Sequence, residues 1–238
     1  EVIGNVDAME FAIAQATDEN GVTAEGIAKI HAQLLKSNYP HLAGNYREVQ
    51  NWIGGNNYNP CGADFIPPPP GHVGPLIADL CAFSNSFDWP AVAQAAITHA
   101  QFETIHPFAD GNGRTGRALI HVVLRRREVS RFFVPPISVV LSANSDEYID
   151  GLTKYREGDI FAWVRHFSKS VLHSATLARR FGDDVRALQH SWRESLRLEG
   201  VRSDAVAWRI VELLPAYPVI STPLLVAAVG AERVPIFR

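Results

Sequence analysis

Between His106 and Arg117 the chain reads His-Pro-Phe-Ala-Asp-Gly-Asn-Gly-Arg-Thr-Gly-Arg, which places an imidazole, a carboxylate, two glycines and two arginines in one short segment. Gly111 and Gly113 let the backbone turn successive N–H groups inward, which makes an anion nest. A helix with Leu119, Ile120 and Val123 on its apolar face is expected just after, and its N-terminal N–H groups and dipole add to the same anion site. Arg114 and Arg117 are three apart, so they share one helix face and can grip phosphate oxygens from one side. Asp110, beside the nest, is placed for a Mg²⁺ that bridges phosphates. Pro107 disfavours continuation of a helix through His106. An imidazole beside a phosphate site suits a general base that takes a proton from an attacking hydroxyl. Gly111, Gly113 and Gly116 also fit the dinucleotide fingerprint GxGxxG, but that motif needs a hydrophobic strand before its first glycine. Here a helix-type pattern precedes it, and the chain carries no Walker A lysine, HExxH or GxSxG.

The elements that must position this segment follow from periodicity. Residues 1–16 carry Val2, Val6, Met9, Ala12 and Ile13 at helical spacing, and Thr23 opens a second helix bearing Ile27, Ile30, Leu34 and Leu35. Residues 44–66 mix Gly44, Gly54, Gly55, Asn56, Asn57, Pro60 and Gly62 with aromatic and aliphatic residues, which predicts two short strands around a Gly/Asn turn. Pro67 to Pro70 read as an extended spacer. Helical spacing returns at 76–83, 92–102, 119–124, 148–155 and 161–181, with Trp163, Phe167 and Leu172 expected in the core. A polar, Arg-bearing stretch, 179–202, follows. Residues 205–229 suggest two short helices joined by a turn. The fold class is therefore all-α with one hairpin, and a second unit starts near 203.

Composition bounds the rest. The 238 residues are 47% hydrophobic and 20% charged with a net charge of −3, which is globular and lacks a basic field for nucleic acid. Cys61 and Cys81 make neither a CxxC pair nor a disulfide framework, so a reducing cytoplasm is the expectation. No stretch approaches the eighteen apolar residues of a membrane span. The chain starts at Glu1 without an initiator Met, as expected of a fragment or processed product.

The 106–117 segment resembles the Fic family signature, HxFx(D/E)GNGRxxR, with every fixed position met by His106, Phe108, Asp110, Gly111, Asn112, Gly113, Arg114 and Arg117. The stretch from Arg47 to Gly55 looks like the start of that family's flap hairpin, Phe65 to Pro70 like its end, and Gln101 to Ile105 like its approach to the motif. The resemblance covers about residues 1–200, with the flap near 46–66. It implies a Fic fold and protein adenylyltransferase chemistry: ATP and Mg²⁺ bind at the nest, a protein hydroxyl attacks the α-phosphate, and pyrophosphate leaves. By position, His106 would be the general base and Asp110 the Mg²⁺ ligand. Gly111, Asn112, Gly113 and Arg114, with Thr115 and Gly116, would hold the α- and β-phosphates, and Arg117 would meet the γ-phosphate. Phe108 would anchor the loop in the core. A target protein, which could be a second copy of the chain, would dock on the flap by strand addition. The GNGR form separates this chain from kinase-like relatives with lysine at the second glycine.

Two positions depart from the pattern around the family's adenine pocket: Ile149 replaces a second tyrosine, and Arg156 stands where Asn is usual. Tyr148 remains a stacking candidate. Ser195-x-x-x-Glu199-Gly200 matches the family's short inhibitory pattern, whose Glu pairs with the second motif arginine. Residues 203–238 resemble the opening of a truncated winged helix, so a DNA-binding regulator is a rival reading, with nucleic acid bound only through a completed winged helix. Transfer of UMP or phosphocholine, or removal of AMP, is the rival within the enzyme class. The histidines at 31, 41, 72, 99, 121, 166, 173 and 190 show no metal-ligand spacing and read as surface or satisfied core residues.

Overall fold

Thr23 shows how local chemistry sets the first boundaries. In the computed structural model its backbone is extended and its Oγ1 accepts the Gly26 N–H at 3.0 Å, the N-cap bond that starts the second helix. The structure describes residues 2–15, 19–56, 58–131, 133–217, 219 and 221–229. The expected roles of Val2 and Val6 side chains, of Asn57 in the flap turn and of residues 230–238 in the last segment lie outside what is described.

The helices are α1 (Val2–Gln15), α2 (Ala24–Leu35), α3 (Val73–Asn85), α4 (Ala91–Ile105), α5 (Asn112–Arg126), α6 (Ile137–Ala143), α7 (Ser145–Arg156), α8 (Ile160–Leu198), α9 (Val206–Leu213) and α10 (Thr222–Val229). The all-α expectation holds. None of these helices is long and apolar enough to cross a membrane. The described chain divides into two compact units, Glu1–Ala175 and Thr176–Arg238. The division falls inside α8.

In the first unit α4 is buried on nearly every side, because Ala95, Ala96 and Ala100 let neighbouring helices approach and Phe102 and Ile105 fill the gaps. Its most extensive neighbour is α5. One core cluster joins Ile27, Ile30, Ile77, Leu80 and Leu119 around Phe102 and Phe108; another gathers Ile120, Val123, Leu141, Leu152 and Phe167 around Trp163. The Trp163 indole N–H donates to the Ala96 carbonyl at 2.7 Å. Leu172 does not join this core and is 69% exposed, against the sequence expectation.

The flap also differs from its expectation. The two strands reduce to one antiparallel bridge, Ile53 to Phe65, with the Ile53 N–H donating to Phe65 O at 2.9 Å. Asn56 explains the rest. Its Oδ1 accepts the N–H groups of Tyr58 and Asn59, and its Nδ2 donates to Cys61 O, so side-chain bonds replace ladder bonds. A further bridge pairs Tyr46 with Phe108 and ties the flap base to the motif.

Two helices, α5 and α8, exceed their expected ranges by the most. α5 starts at Asn112, inside the motif, because Gly111 enters it with φ 76°. α8 runs on to Leu198 because ion pairs Arg186–Asp183 and Arg197–Glu194 support its polar part. It closes with Val201 N–H on Leu196 O and Gly200 N–H on Arg197 O, a Schellman cap. In the second unit Gln189 Nε2 donates to Val211 O and Arg193 lies 3.8 Å from Glu212, which fastens α9 to the end of α8.

Candidate active site

Pro107 stops α4, and His106 takes the cap in a left-handed conformation, φ 48° and ψ 60°. A non-glycine residue there is strained by about 1–3 kcal/mol, so its surroundings must fix it. Arg47 does much of this. Its buried guanidinium donates from Nε to His106 O at 2.9 Å, and it also reaches Ile105 O, Pro68 O and Val49 O. It thereby satisfies carbonyls at the α4 C-terminus and places positive charge at the negative end of the dipole. Arg47→Ala is expected to lower stability by about 3 kcal/mol, because buried carbonyls lose a charged donor. Arg47→Lys should restore only part, since one ammonium cannot replace the planar fork. Urea unfolding checks this, and an unchanged midpoint for the alanine variant contradicts it.

Beyond the cap, Phe108 is fully buried and stacks on His31, with ring centroids 3.7 Å apart and planes 3° from parallel. His31 Nδ1 accepts the Gly44 N–H at 2.9 Å, so Nε2 carries the proton and donates to Asp110 O, also at 2.9 Å. A histidine that read as inert core thus pins the motif loop. Gly111 must be glycine: its φ is positive, and a Cβ there would sit 3.1 Å from His31 Nε2.

The motif residues then separate into two groups. Asn112, Thr115 and Gly116 face inward. The Asn112 Oδ1 accepts the Phe108 N–H at 2.9 Å and its Nδ2 donates to Phe108 O at 2.8 Å. Thr115 Oγ1 donates to Gly111 O at 2.9 Å. A Cβ on Gly116 would fall 2.4 Å from Glu103 Oε1 and 2.9 Å from Phe102, so this glycine lets α5 close on α4. The Asn112 and Thr115 side chains and the space a Gly116 side chain would need are thus taken up by loop and core. What remains for an anion is backbone. The first intrahelical bond is Thr115 N–H to Gly111 O, so the N–H groups of Asn112 and Gly113 precede it.

The second group faces the cleft. Arg117 folds back over the first turn of α5, its Nη1 3.0 Å from where a Gly113 Cβ would be. Arg117, Tyr148 and Ile149, with Ser138, Ser142 and Ser145, line a cavity of about 430 Å³. Arg114 and Arg117 also line a neighbouring cavity of about 190 Å³. The Tyr148 hydroxyl pairs with His99 Nε2 at 2.9 Å. Arg156 lies 3.8 Å over the Phe65 ring, a cation–π contact from α7 to the flap. Asp110 keeps 56% of its side chain exposed, with Oδ1 accepting the Gly111 N–H and Oδ2 3.7 Å from Arg114. A Mg²⁺ that takes most ligands from phosphates and water needs one such carboxylate, and Asp110 fits it.

Burial sets the protonation of this region. It holds the His106 imidazole down to about 4, aided by the Arg47 and Arg156 charges, and pushes His99 to about 3 and His121 to about 4. Burial also lowers His31. It raises the Glu103 carboxyl to about 7 against the pull of Arg117 and Arg156. These shifts have opposite consequences for folding. Below the ordinary imidazole value of 6.5, the unfolded chain takes up protons that the buried histidines refuse, so stability falls as pH falls. Glu103 binds its proton in the folded state first, so it adds stability as pH drops from about 7 to its ordinary 4.5. The histidines outnumber it. Stability should therefore decline below pH 6.5 by roughly 1 kcal/mol per pH unit for each uncompensated proton. Urea midpoints at pH 7, 6 and 5 measure this; a flat series contradicts it.

The motif lies in a segment that is similar to known proteins. Residues 21–124 match the Fic/DOC family. The chain is 32% identical over 169 residues to protein adenylyltransferase Fic of Aedes aegypti, covering 69% of this chain and 31% of the relative. It is 28% identical over 180 residues to the protein of the same name from Nematostella vectensis, covering 71% and 37%. The chain thus spans about a third of the length of these curated relatives. Among solved structures, a Fic family protein from Desulfovibrio desulfuricans G20 superposes with a TM-score of 0.61 at 23% identity, covering 97% of this chain and 63% of that one. Fic-1 (residues 134–508) from C. elegans gives 0.60 at 24%, covering 79% and 52%. The helical fold, the signature motif at the α4–α5 junction and these likenesses together show that the chain belongs to the Fic family.

Proposed function

We propose that this chain is a protein adenylyltransferase that moves AMP from ATP to a hydroxyl of a target protein. The observation that carries the reading is the juxtaposition at the α4–α5 junction. A neutral imidazole, His106, caps one helix while the next opens at Asn112, the N–H groups of its first turn ahead of the first intrahelical bond and Arg117 folded back over them. The relatives named protein adenylyltransferase support the same chemistry.

In this mechanism the α5 N-terminus and Arg114 bind the phosphates, and Arg117 neutralises charge toward the leaving pyrophosphate. Tyr148 and the cavity of about 430 Å³ lined by Val139, Leu141, Ile149 and three serines receive the adenine. His106 Nε2 accepts the target hydroxyl proton. The oxygen bonds to the α-phosphorus as the bond from that phosphorus to the pyrophosphate oxygen breaks. His106 then returns the proton to pyrophosphate or solvent. Asp110 would hold Mg²⁺, which supplies charge neutralisation at the phosphates. The exposed flap residues Val49 and Ile66 offer an edge for an extended target segment, and the Arg156–Phe65 contact steadies that edge.

The test is incubation with labelled ATP, UTP, GTP and CDP-choline in Mg²⁺, reading which label becomes covalent. ATP label, lost in EDTA, is expected. Preferential labelling from UTP or CDP-choline would move the chain to another Fic-type transfer.

A further inference from the structure

We propose that Glu103 is the positioning residue of His106: its carboxylate faces the buried Nδ1 and supplies the counter-charge for the imidazolium that forms when Nε2 takes a proton. The inference rests on the reading of His106 as the general base.

Glu103 sits on the last turn of α4, three residues before His106, with 7% of its side chain exposed. Its Oε2 lies 3.9 Å from His106 Nδ1 and its Oε1 4.0 Å from His99 Nδ1. Oε1 and both Nδ1 atoms are buried and lack a well-formed hydrogen bond among the described residues, with the Glu103 and Gly116 backbones also facing the His106 and His99 rings. Leaving three such atoms unmatched in one place costs several kcal/mol. A shift of about 1 Å would turn the His106 approach into a charge-assisted hydrogen bond. The packing also makes room for this carboxyl group, since α5 offers Gly116 where any Cβ would strike Oε1 at 2.4 Å.

The charges around it come from each neighbouring element. His99 and His106 face it from α4 and its cap, Arg117 from α5, and Tyr148 and Arg156 from α7. Arg47 at the flap base, Arg156 from α7 and Asp110 in the motif loop face His106. The resting imidazole, held near 4, is a weak base at neutral pH. An ionised carboxylate against Nδ1–H raises that basicity as the proton arrives at Nε2, the logic by which a buried carboxylate serves a histidine in a catalytic triad. The proton balance is simple: the hydroxyl proton goes to Nε2, Nδ1 keeps its own, and Glu103 takes none. Because burial raises the Glu103 carboxyl to about 7, the counter-charge switches on through neutral pH.

The rival explanation is that Glu103 is only an ionic partner for Arg117 and Arg156. Glu103→Gln separates the two, because it keeps the shape and removes the charge. The measurement is ¹⁵N NMR of the imidazoles in the whole chain across pH 4–9, alongside kcat and KM for ATP. Our expectation is that His106 in the wild type shows an inflection near pH 7 from Glu103 ionisation. In the Gln variant that inflection disappears, while the His106 titration near 4, where Glu103 already holds its proton, stays in place. The kcat should fall roughly 10–100-fold with KM for ATP little changed, and its rising limb near neutrality should vanish. A His106 inflection near 7 that persists in the Gln variant, or a kcat pH profile that the substitution leaves unaltered, overturns the proposal, even if the melting temperature changes. Should the Gln variant not fold, the wild-type spectra decide alone, and absence of the inflection near 7 overturns the proposal. The spectra need no transfer activity, so a chain that shows the inflection but moves no AMP refutes the adenylyltransferase reading and not this pair.

Discussion

His106→Ala is expected to abolish covalent transfer while leaving ATP binding within a few-fold of wild type. The imidazole takes part in the reaction as a base, whereas the α5 N-terminus, Arg114 and Arg117 hold the phosphates. General-base loss removes about 10²–10⁴ in rate. The fold should tolerate the change, because the side chain of His106 is not part of either core cluster and Arg47 grips its carbonyl instead. The left-handed cap keeps its strain with alanine, so a small loss of stability, about 1 kcal/mol, is expected. Calorimetric titration with ATP and single-turnover transfer separate the two effects. Wild-type transfer by the alanine variant contradicts the assignment.

The next largest effect is expected at Asn112, for a reason the family signature does not supply. Its side chain bonds both the N–H and the carbonyl of Phe108, and only 3% of it is exposed. In Asn112→Ala the buried Phe108 N–H loses its acceptor, while Phe108 O keeps the Asn51 amide at 3.0 Å. One orphaned donor and two lost bonds should cost about 2–4 kcal/mol. The nest then loosens and transfer falls with it. If Asn112 instead held phosphate through its side chain, the alanine variant would melt like wild type and raise only KM for ATP. Thermal unfolding and KM measured together distinguish these, and an unchanged melting temperature counts against the loop-pinning role.

The motif itself was legible because its chemistry is contiguous: His106, Asp110 and Arg117 lie within one loop and one helix start, and periodicity located both flanking helices. What escaped is what closes from far away. Arg47 meets His106 across 59 positions and His31 meets Asp110 across 79, and no spacing rule links such pairs. The inward role of Asn112, Thr115 and Gly116 was hidden for a related reason. A glycine-rich anion loop and a tightly packed helix crossing ask for the same small or amide residues. In the flap, the Gly/Asn content suggested a turn between strands, but Asn56 caps backbone groups that a ladder would have used. In α8, the polar stretch after Arg179 looked like the end of a helix, and exposed ion pairs carry it on to Leu198.

In this mechanism the α-phosphate, not the γ-phosphate, becomes attached to protein. Incubating the chain with Mg²⁺ and protein extract, once with α-labelled ATP and once with γ-labelled ATP, tests it most directly. Covalent label from the α-position alone, lost in His106→Ala, is the result this account predicts. γ-Label that this chain raises above that of the extract alone, or α-label that persists in His106→Ala, contradicts it.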